Sequence, residues 1–162
     1  MGQVSVKVEA SGICFAEQSM RRGRSYEQPK FPFVPGYDLV GRVVATGPGV
    51  DATLLGKRVA ALTKTGGWAS YVLLSAIDLL PVPEDIDPLE VETLIVNGIT
   101  AWQMLDIKAR IKRGQTILVH GANGGVGTIL TQLALYAGVR VIGTASTRHH
   151  EALRAQGVEP VD

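Results

Sequence analysis

Three glycines, Gly124, Gly125 and Gly127, stand where spacing alone suggests chemistry. Before them runs Thr116-Ile117-Leu118-Val119-His120, apolar and β-branched; after them Ile129-Leu130-Thr131-Gln132-Leu133-Ala134-Leu135-Tyr136-Ala137 carries apolar residues at helical spacing. The stretch reads as strand, glycine turn, helix. Without Cβ atoms the turn can be tight, a pyrophosphate can come close to the main chain, and the helix can pack near its strand. The unpaired N–H groups at the start of that helix, and the positive end of its dipole, favour a phosphate. The usual G-x-G-x-x-G pattern has Ala122 in place of its first glycine, but the context compensates: a strand before, a helix after, Gly138 as its stop, and Val139-Arg140-Val141-Ile142-Gly143 as a second strand.

About twenty residues beyond such a turn, a site that prefers NAD places an acid for the ribose 2′-hydroxyl. This chain reads Gly143-Thr144-Ala145-Ser146-Thr147-Arg148, with hydroxyls and a guanidinium but no carboxylate. Ser146 and Arg148 suit the 2′-phosphate of NADP, because a guanidinium offers paired charge-assisted hydrogen bonds. The competing reading of Arg148 is a solvated residue opening the next helix.

The elements that must position these residues follow a simple order. Val4-Ser5-Val6-Lys7-Val8-Glu9-Ala10 alternates as a half-buried strand does, Phe15 to Arg22 predicts a short helix or turn, and the cluster Arg21, Arg22, Arg24 reads as solvated surface. Phe31-Pro32-Phe33-Val34-Pro35 fixes an extended entry into the strand-forming run that ends at Gly47-Pro48-Gly49. Three more short strands, in 57–62, 69–74 and 79–83, point to a small antiparallel barrel or sandwich. After Pro83-Glu84-Asp85 the texture changes. Proline and acids open a helix at Pro88-Leu89-Glu90-Val91-Glu92, and Ala101-Trp102-Gln103-Met104-Leu105 belongs to another helical segment. The expected division is therefore an all-β domain, residues 1–86, and an α/β domain, residues 87–162.

Composition bounds the partners. With 162 residues, 46% hydrophobic, 19% charged and a net charge of +1, the chain is of ordinary globular type and offers no argument for nucleic acid or an acidic membrane. No apolar run reaches the length of a membrane span, Lys7 and Glu9 interrupt any signal-peptide core, and Met1-Gly2 lacks the hydroxyl residue of a myristoylation site, having Val6 there. The single cysteine, Cys14, excludes an internal disulfide and fits a reducing, cytoplasmic setting.

The order of a β domain and then a dinucleotide turn resembles the medium-chain dehydrogenase/reductase superfamily, and within it the zinc-free quinone oxidoreductases. The resemblance runs through Gly12-Ile13-Cys14-Phe15-Ala16-Glu17, Pro35-Gly36-Tyr37-Asp38-Leu39-Val40-Gly41-Arg42-Val43, Gly56-Lys57-Arg58-Val59, Thr100-Ala101-Trp102 and Ala122-Asn123-Gly124-Gly125-Val126-Gly127. It implies a GroES-like antiparallel β domain joined to a partial Rossmann domain, NADP(H) as cofactor, and hydride transfer to a quinone or an α,β-unsaturated carbonyl compound. It also implies that Asn97 and Thr100 sit at the nicotinamide end, that Gly124, Gly125, Val126 and Gly127 lie under the pyrophosphate, and that Cys14 and Tyr37 line the substrate cleft.

The zinc alcohol dehydrogenases of the same superfamily supply a rival. Cys14 stands at their first ligand position, but Tyr37 replaces the histidine and Asn97 falls near the third ligand; His120, His149 and His150 all lie in the α/β half. Catalytic zinc needs three protein ligands and an open position, so no metal is expected. Compared with the family pattern, the chain lacks the first strands of the β domain and stops after the third Rossmann strand begins, at Gly157 to Asp162. The nicotinamide-holding half and the usual dimer strand are expected to be absent. A remnant without activity, or an interaction module using exposed sheet edges, is the alternative from a different class.

Overall fold

The structure, a computed structural model, describes residues 2–162; Met1, part of the myristoylation reading, lies outside them. The chain divides into two compact units, the first running to Val96 and the second covering Asn97–Asp162, a later division than the 86/87 boundary expected from composition.

In the first unit, β1 (Gln3–Ala10), β2 (Asp38–Thr46), β3 (Arg58–Leu62), β4 (Tyr71–Ser75) and β5 (Leu80–Pro81) form one antiparallel sheet in the order β4-β1-β2-β3-β5. The strands pair as a single open sheet, where their spacing in sequence suggests a barrel or a sandwich. Alternation in β1 turns Val4 and Val6 inward and Lys7 to solvent; with Leu39, Val43 and Val59 they make the core. Each such buried side chain contributes about 1.5–3 kcal/mol. The helix α1 (Phe15–Arg21) starts at Cys14 and buries Glu17 and Met20. Gly36, with φ +111°, turns the chain into β2, and a Cβ there would meet the backbone of Gly67 and Trp68.

The helix α2 (Pro88–Trp102) is continuous where two segments were expected, and it runs on as a π-helical stretch, Gln103–Ala109. Gly98 lies inside it. A helix-interior glycine costs about 1 kcal/mol relative to alanine, and burial of Ile95 and Ala101 on either side offsets this.

The second unit holds β6 (Thr116–His120), α3 (Gly125–Tyr136), β7 (Arg140–Thr144), α4 (His150–Ala155) and β8 (Glu159–Val161). The three strands are parallel, in the order β6-β7-β8, with Thr116 opposite Arg140 and Ile142 opposite Glu159. Such a parallel sheet with helical crossovers is a partial Rossmann arrangement. Its core gathers Val119, Ala122, Leu130, Ala134, Val141, Leu153 and Val158. Gly138, at φ +75°, ends α3: its N–H donates to the Leu135 carbonyl and that of Val139 to Ala134. No helix among the described residues is long and apolar enough to cross a membrane.

Candidate functional site

The glycine turn forms because β6 and β7 hold it from below. At the end of β6, Gly121 takes φ +67°, a conformation costly for other residues. Its N–H donates to Thr144 Oγ1 (3.1 Å), the Ala122 N–H donates to the Thr144 carbonyl (3.0 Å), and the Gly124 N–H donates back to the Gly121 carbonyl (2.9 Å). Thr144, the last residue of β7, thus anchors the turn twice.

The glycines differ in what they make room for. A Cβ on Gly127 would run into the Gly121 carbonyl oxygen and lie 2.9 Å from Ala122 Cα, so this residue is what lets α3 approach the turn. At Gly125 the neighbour is the Asn97 side chain, whose Nδ2 would stand 3.1 Å from a Cβ. Gly124 caps α3 with no side-chain hydrogen bond to the first turn. The start of α3 therefore presents its backbone N–H groups without a side-chain cap, as an anion site requires. Ala122, in the slot of the missing first glycine, is fully buried; a Cβ added to Gly143 would lie 2.6 Å from its methyl group, so Gly143 leaves the space the alanine uses.

Two cavities flank this turn within the second unit. One, of about 460 Å³, is open to solvent and lined by Gly121, Asn123, Thr144, Ala145, Ser146 and Asp162. The other, of about 690 Å³, runs along β6 and is mainly apolar; Thr100, Gly124, Val126 and Gly127 are among the residues around it. The structure thus gathers Asn97, Thr100 and the glycine turn, and it places Ser146 in the smaller cavity. Arg148 is exposed on the short turn before α4, where its Nε–H donates to His149 Nε2 (3.0 Å), and it does not line that cavity.

Sequence reading missed Thr144 and Asp162. Thr144 was readable as a hydroxyl ending the second strand. Asp162 had no local signal: it comes from the end of β8, where its carboxylate accepts a hydrogen bond from Thr147 Oγ1 (2.9 Å) and lies 3.5 Å from His150 Nε2.

In the first unit, Cys14 and Tyr37 are tied to one buried carboxylate. Glu17, 1% exposed, accepts the Cys14 N–H on Oε2 (2.7 Å) and the Tyr37 N–H on Oε1 (2.8 Å). The Cys14-x-x-Glu17 spacing, a capping box with cysteine in the hydroxyl position, was the sequence signal for this. Behind Tyr37, burial raises Asp38 above the ordinary carboxylate range, and burial together with the Asp38 charge pushes Glu92 up to about 7. Among the described residues no group of three or more histidine, cysteine or acidic side chains is placed to hold a metal ion.

Comparison with known proteins agrees with this geometry. Residues 1–84 match the alcohol dehydrogenase GroES-like domain. The chain is 37% identical to the human synaptic vesicle membrane protein VAT-1 homolog, over 99% of this chain and 42% of that protein, and 36% identical to the quinone oxidoreductase of Rattus norvegicus, over 95% and 47%. The quinone oxidoreductase from Thermus thermophilus, solved also in complex with NADPH, superposes with a TM-score of 0.83 at 34% identity, over 98% of this chain and 50% of that one. The chain thus spans about half the length of these relatives.

Proposed function

Because the chain belongs to the medium-chain dehydrogenase/reductase superfamily, we propose that its second unit holds NADPH and that the protein serves zinc-independent reduction of a quinone or α,β-unsaturated carbonyl compound. The observation that carries this reading is the uncapped start of α3 at a glycine turn, with a cavity on either side of it.

The residues present fit the cofactor. The N–H groups at the start of α3 hold the pyrophosphate, and the missing Cβ atoms of Gly124 and Gly125 let it reach them. Ser146 in the smaller cavity, with Arg148 nearby in sequence, takes the ribose 2′-phosphate; the Arg148 side chain reaches it by leaving His149, a rotamer change at an exposed position that also offsets the Asp162 carboxylate lining the same cavity. Asn97, against Gly125, and Thr100, in the apolar cavity, are assigned to the nicotinamide side.

When bound, NADPH supplies a hydride to the electron-poor carbon of the acceptor. The protein contributes position and hydrogen bonds to the oxygen that gains charge. Cys14 and Tyr37, fixed through Glu17, are the residues of the first unit assigned to the substrate. Zinc independence is supported by the donor set: tyrosine and asparagine stand where a metal site needs histidine and cysteine.

Calorimetric titration with NADPH and with NADH, followed by NADPH oxidation with a simple quinone, tests the reading. NADPH binding at least about tenfold tighter than NADH, with turnover, is expected. Absence of binding by either nucleotide refutes the site, and binding without turnover refutes the reaction while leaving the site standing.

A further inference from the structure

The first unit contains a group of buried acids that the proposed reaction does not use. Asp38, the first residue of β2, is 4% exposed, and its carboxyl group interacts with that of Glu92 on α2, which lies against Gly12. Two ionised carboxylates are both acceptors and cannot bond to each other; a hydrogen bond between them requires a proton. The partners around them fix the arrangement. The Gly12 backbone serves both acids, Val96 serves Asp38, and a Cβ on Gly12 would fall on the Glu92 carboxylate, so the glycine makes room for the pair. Gly12 is held in turn, because its carbonyl accepts the Trp68 indole N–H at 2.8 Å.

The charged groups acting on the pair are all acidic. Glu17 on α1 adds a negative charge to both, and among the described residues no lysine, arginine or histidine forms an ion pair with any of the three. Glu17 already uses its two oxygens on the N–H groups of Cys14 and Tyr37. Three acids on α1, β2 and α2 thus lie together with no ion-paired cation among the described residues, and one shared proton offsets part of their charge.

We propose that Asp38 and Glu92 share a single proton, and that this proton latches the N-terminal part of α2 to the start of β2 and is released as the pH rises. The sign follows from linkage. Glu92 is raised from its ordinary 4.5 to about 7, so between those values the folded chain keeps a proton that the unfolded chain gives up. Stability therefore falls as pH rises through that window and levels off above it. Loss of the proton leaves like charges in contact, and the part of α2 that carries Glu92 loosens first.

Infrared titration of the whole chain, with 13C-labelled acids, reads the proton directly. A protonated carboxyl that disappears with a midpoint near pH 7 is expected; no protonated carboxyl above pH 6 overturns the proposal. Glu92→Gln keeps a donor toward an ionised Asp38, so it is expected to remove that signal and to flatten the pH dependence of the unfolding constant, which in the parent should change about tenfold or more between pH 5 and 8 after solvent screening of a part-exposed group. Amide exchange in residues 89–96, corrected for its intrinsic pH dependence, should quicken by about tenfold between pH 6 and 8.5 in the parent and not in the variant. Glu90→Gln, exposed on the same helix, should change none of these. A signal that survives in Glu92→Gln, or an unchanged pH dependence, refutes the latch. If that variant does not fold, the parent titration decides alone.

Discussion

Replacing Gly127 with alanine separates the two jobs of the glycine turn. The residue lies in the first turn of α3 and its φ is not in the left-handed region, so the backbone conformation itself accepts alanine. The obstacle is steric and made of main chain: the added Cβ would meet the Gly121 carbonyl oxygen, Ala122 Cα at 2.9 Å and Ala122 C at 3.0 Å. Overpacking costs about 1–3 kcal/mol, and a backbone obstacle belongs at the upper end. Alanine regains about 0.8–1 kcal/mol of helix propensity, leaving a net loss of about 2 kcal/mol. Gly125→Ala is the matched comparison. There the neighbour is the Asn97 side chain at 3.1–3.4 Å, which can swing aside, so the steric cost and the gained propensity should cancel to within about 0.5 kcal/mol. Urea unfolding gives the stabilities and NADPH titration the affinities. Gly127→Ala should lose stability; Gly125→Ala should stay as stable as the parent but, on the proposed cofactor site, bind NADPH at least about tenfold more weakly, because its methyl group would narrow the approach of the pyrophosphate. Equal stability losses in the two variants, or none in Gly127→Ala, would refute the steric reading of the turn.

Two further substitutions probe each unit by itself. Gly36→Ala combines a φ of +111° with a Cβ placed 2.5 Å from the Gly67 carbonyl carbon, so it should destabilise the first unit by about 3 kcal/mol or more; Trp68 fluorescence during unfolding reports it, and a midpoint equal to the parent's would contradict it. Arg148→Ala should weaken NADPH binding by about tenfold and leave NADH binding unchanged, since only the 2′-phosphate needs the guanidinium; an equal loss for both nucleotides in calorimetry would assign Arg148 to a structural role.

What was legible in the chain was local. The alternation of β1, the strand, turn and helix around Gly124 to Gly127, and the stop at Gly138 depend on neighbours a few residues away, and the structure has all of them. The continuity of α2 was not legible, because Gly98 in its interior lowers helix propensity, and the burial of Ile95 and Ala101 on either side that offsets this is set by the fold. The π-helical turn over Gln103–Ala109 changes the hydrogen-bond register rather than the composition, so the residue types carry no sign of it. Strand pairing decided the shape of the first unit. β4 pairs with β1 and β5 with β3, which leaves an open sheet that short strands and turns alone do not distinguish from a barrel.

The same division governs the two sites. A phosphate cradle is made of backbone, and backbone geometry is dictated by which residues lack a side chain, so glycine spacing announces it from within a dozen residues. A shared proton is made of side chains that must come from separate elements. In sequence Glu92 looks like an acid suited to a helix start and Asp38 like one position of a motif; only the fold sets one against the other, with Gly12 vacated between them. The energetics point the same way. A surface carboxylate at a helix start costs little to ionise, whereas Asp38, buried beside Glu17 and Glu92, gains its charge against desolvation and the repulsion of Glu17. The value near 7 for Glu92 therefore belongs to the tertiary structure, and disrupting the packing of α2 on β2, without touching either acid, should return both carboxyls to the ordinary range.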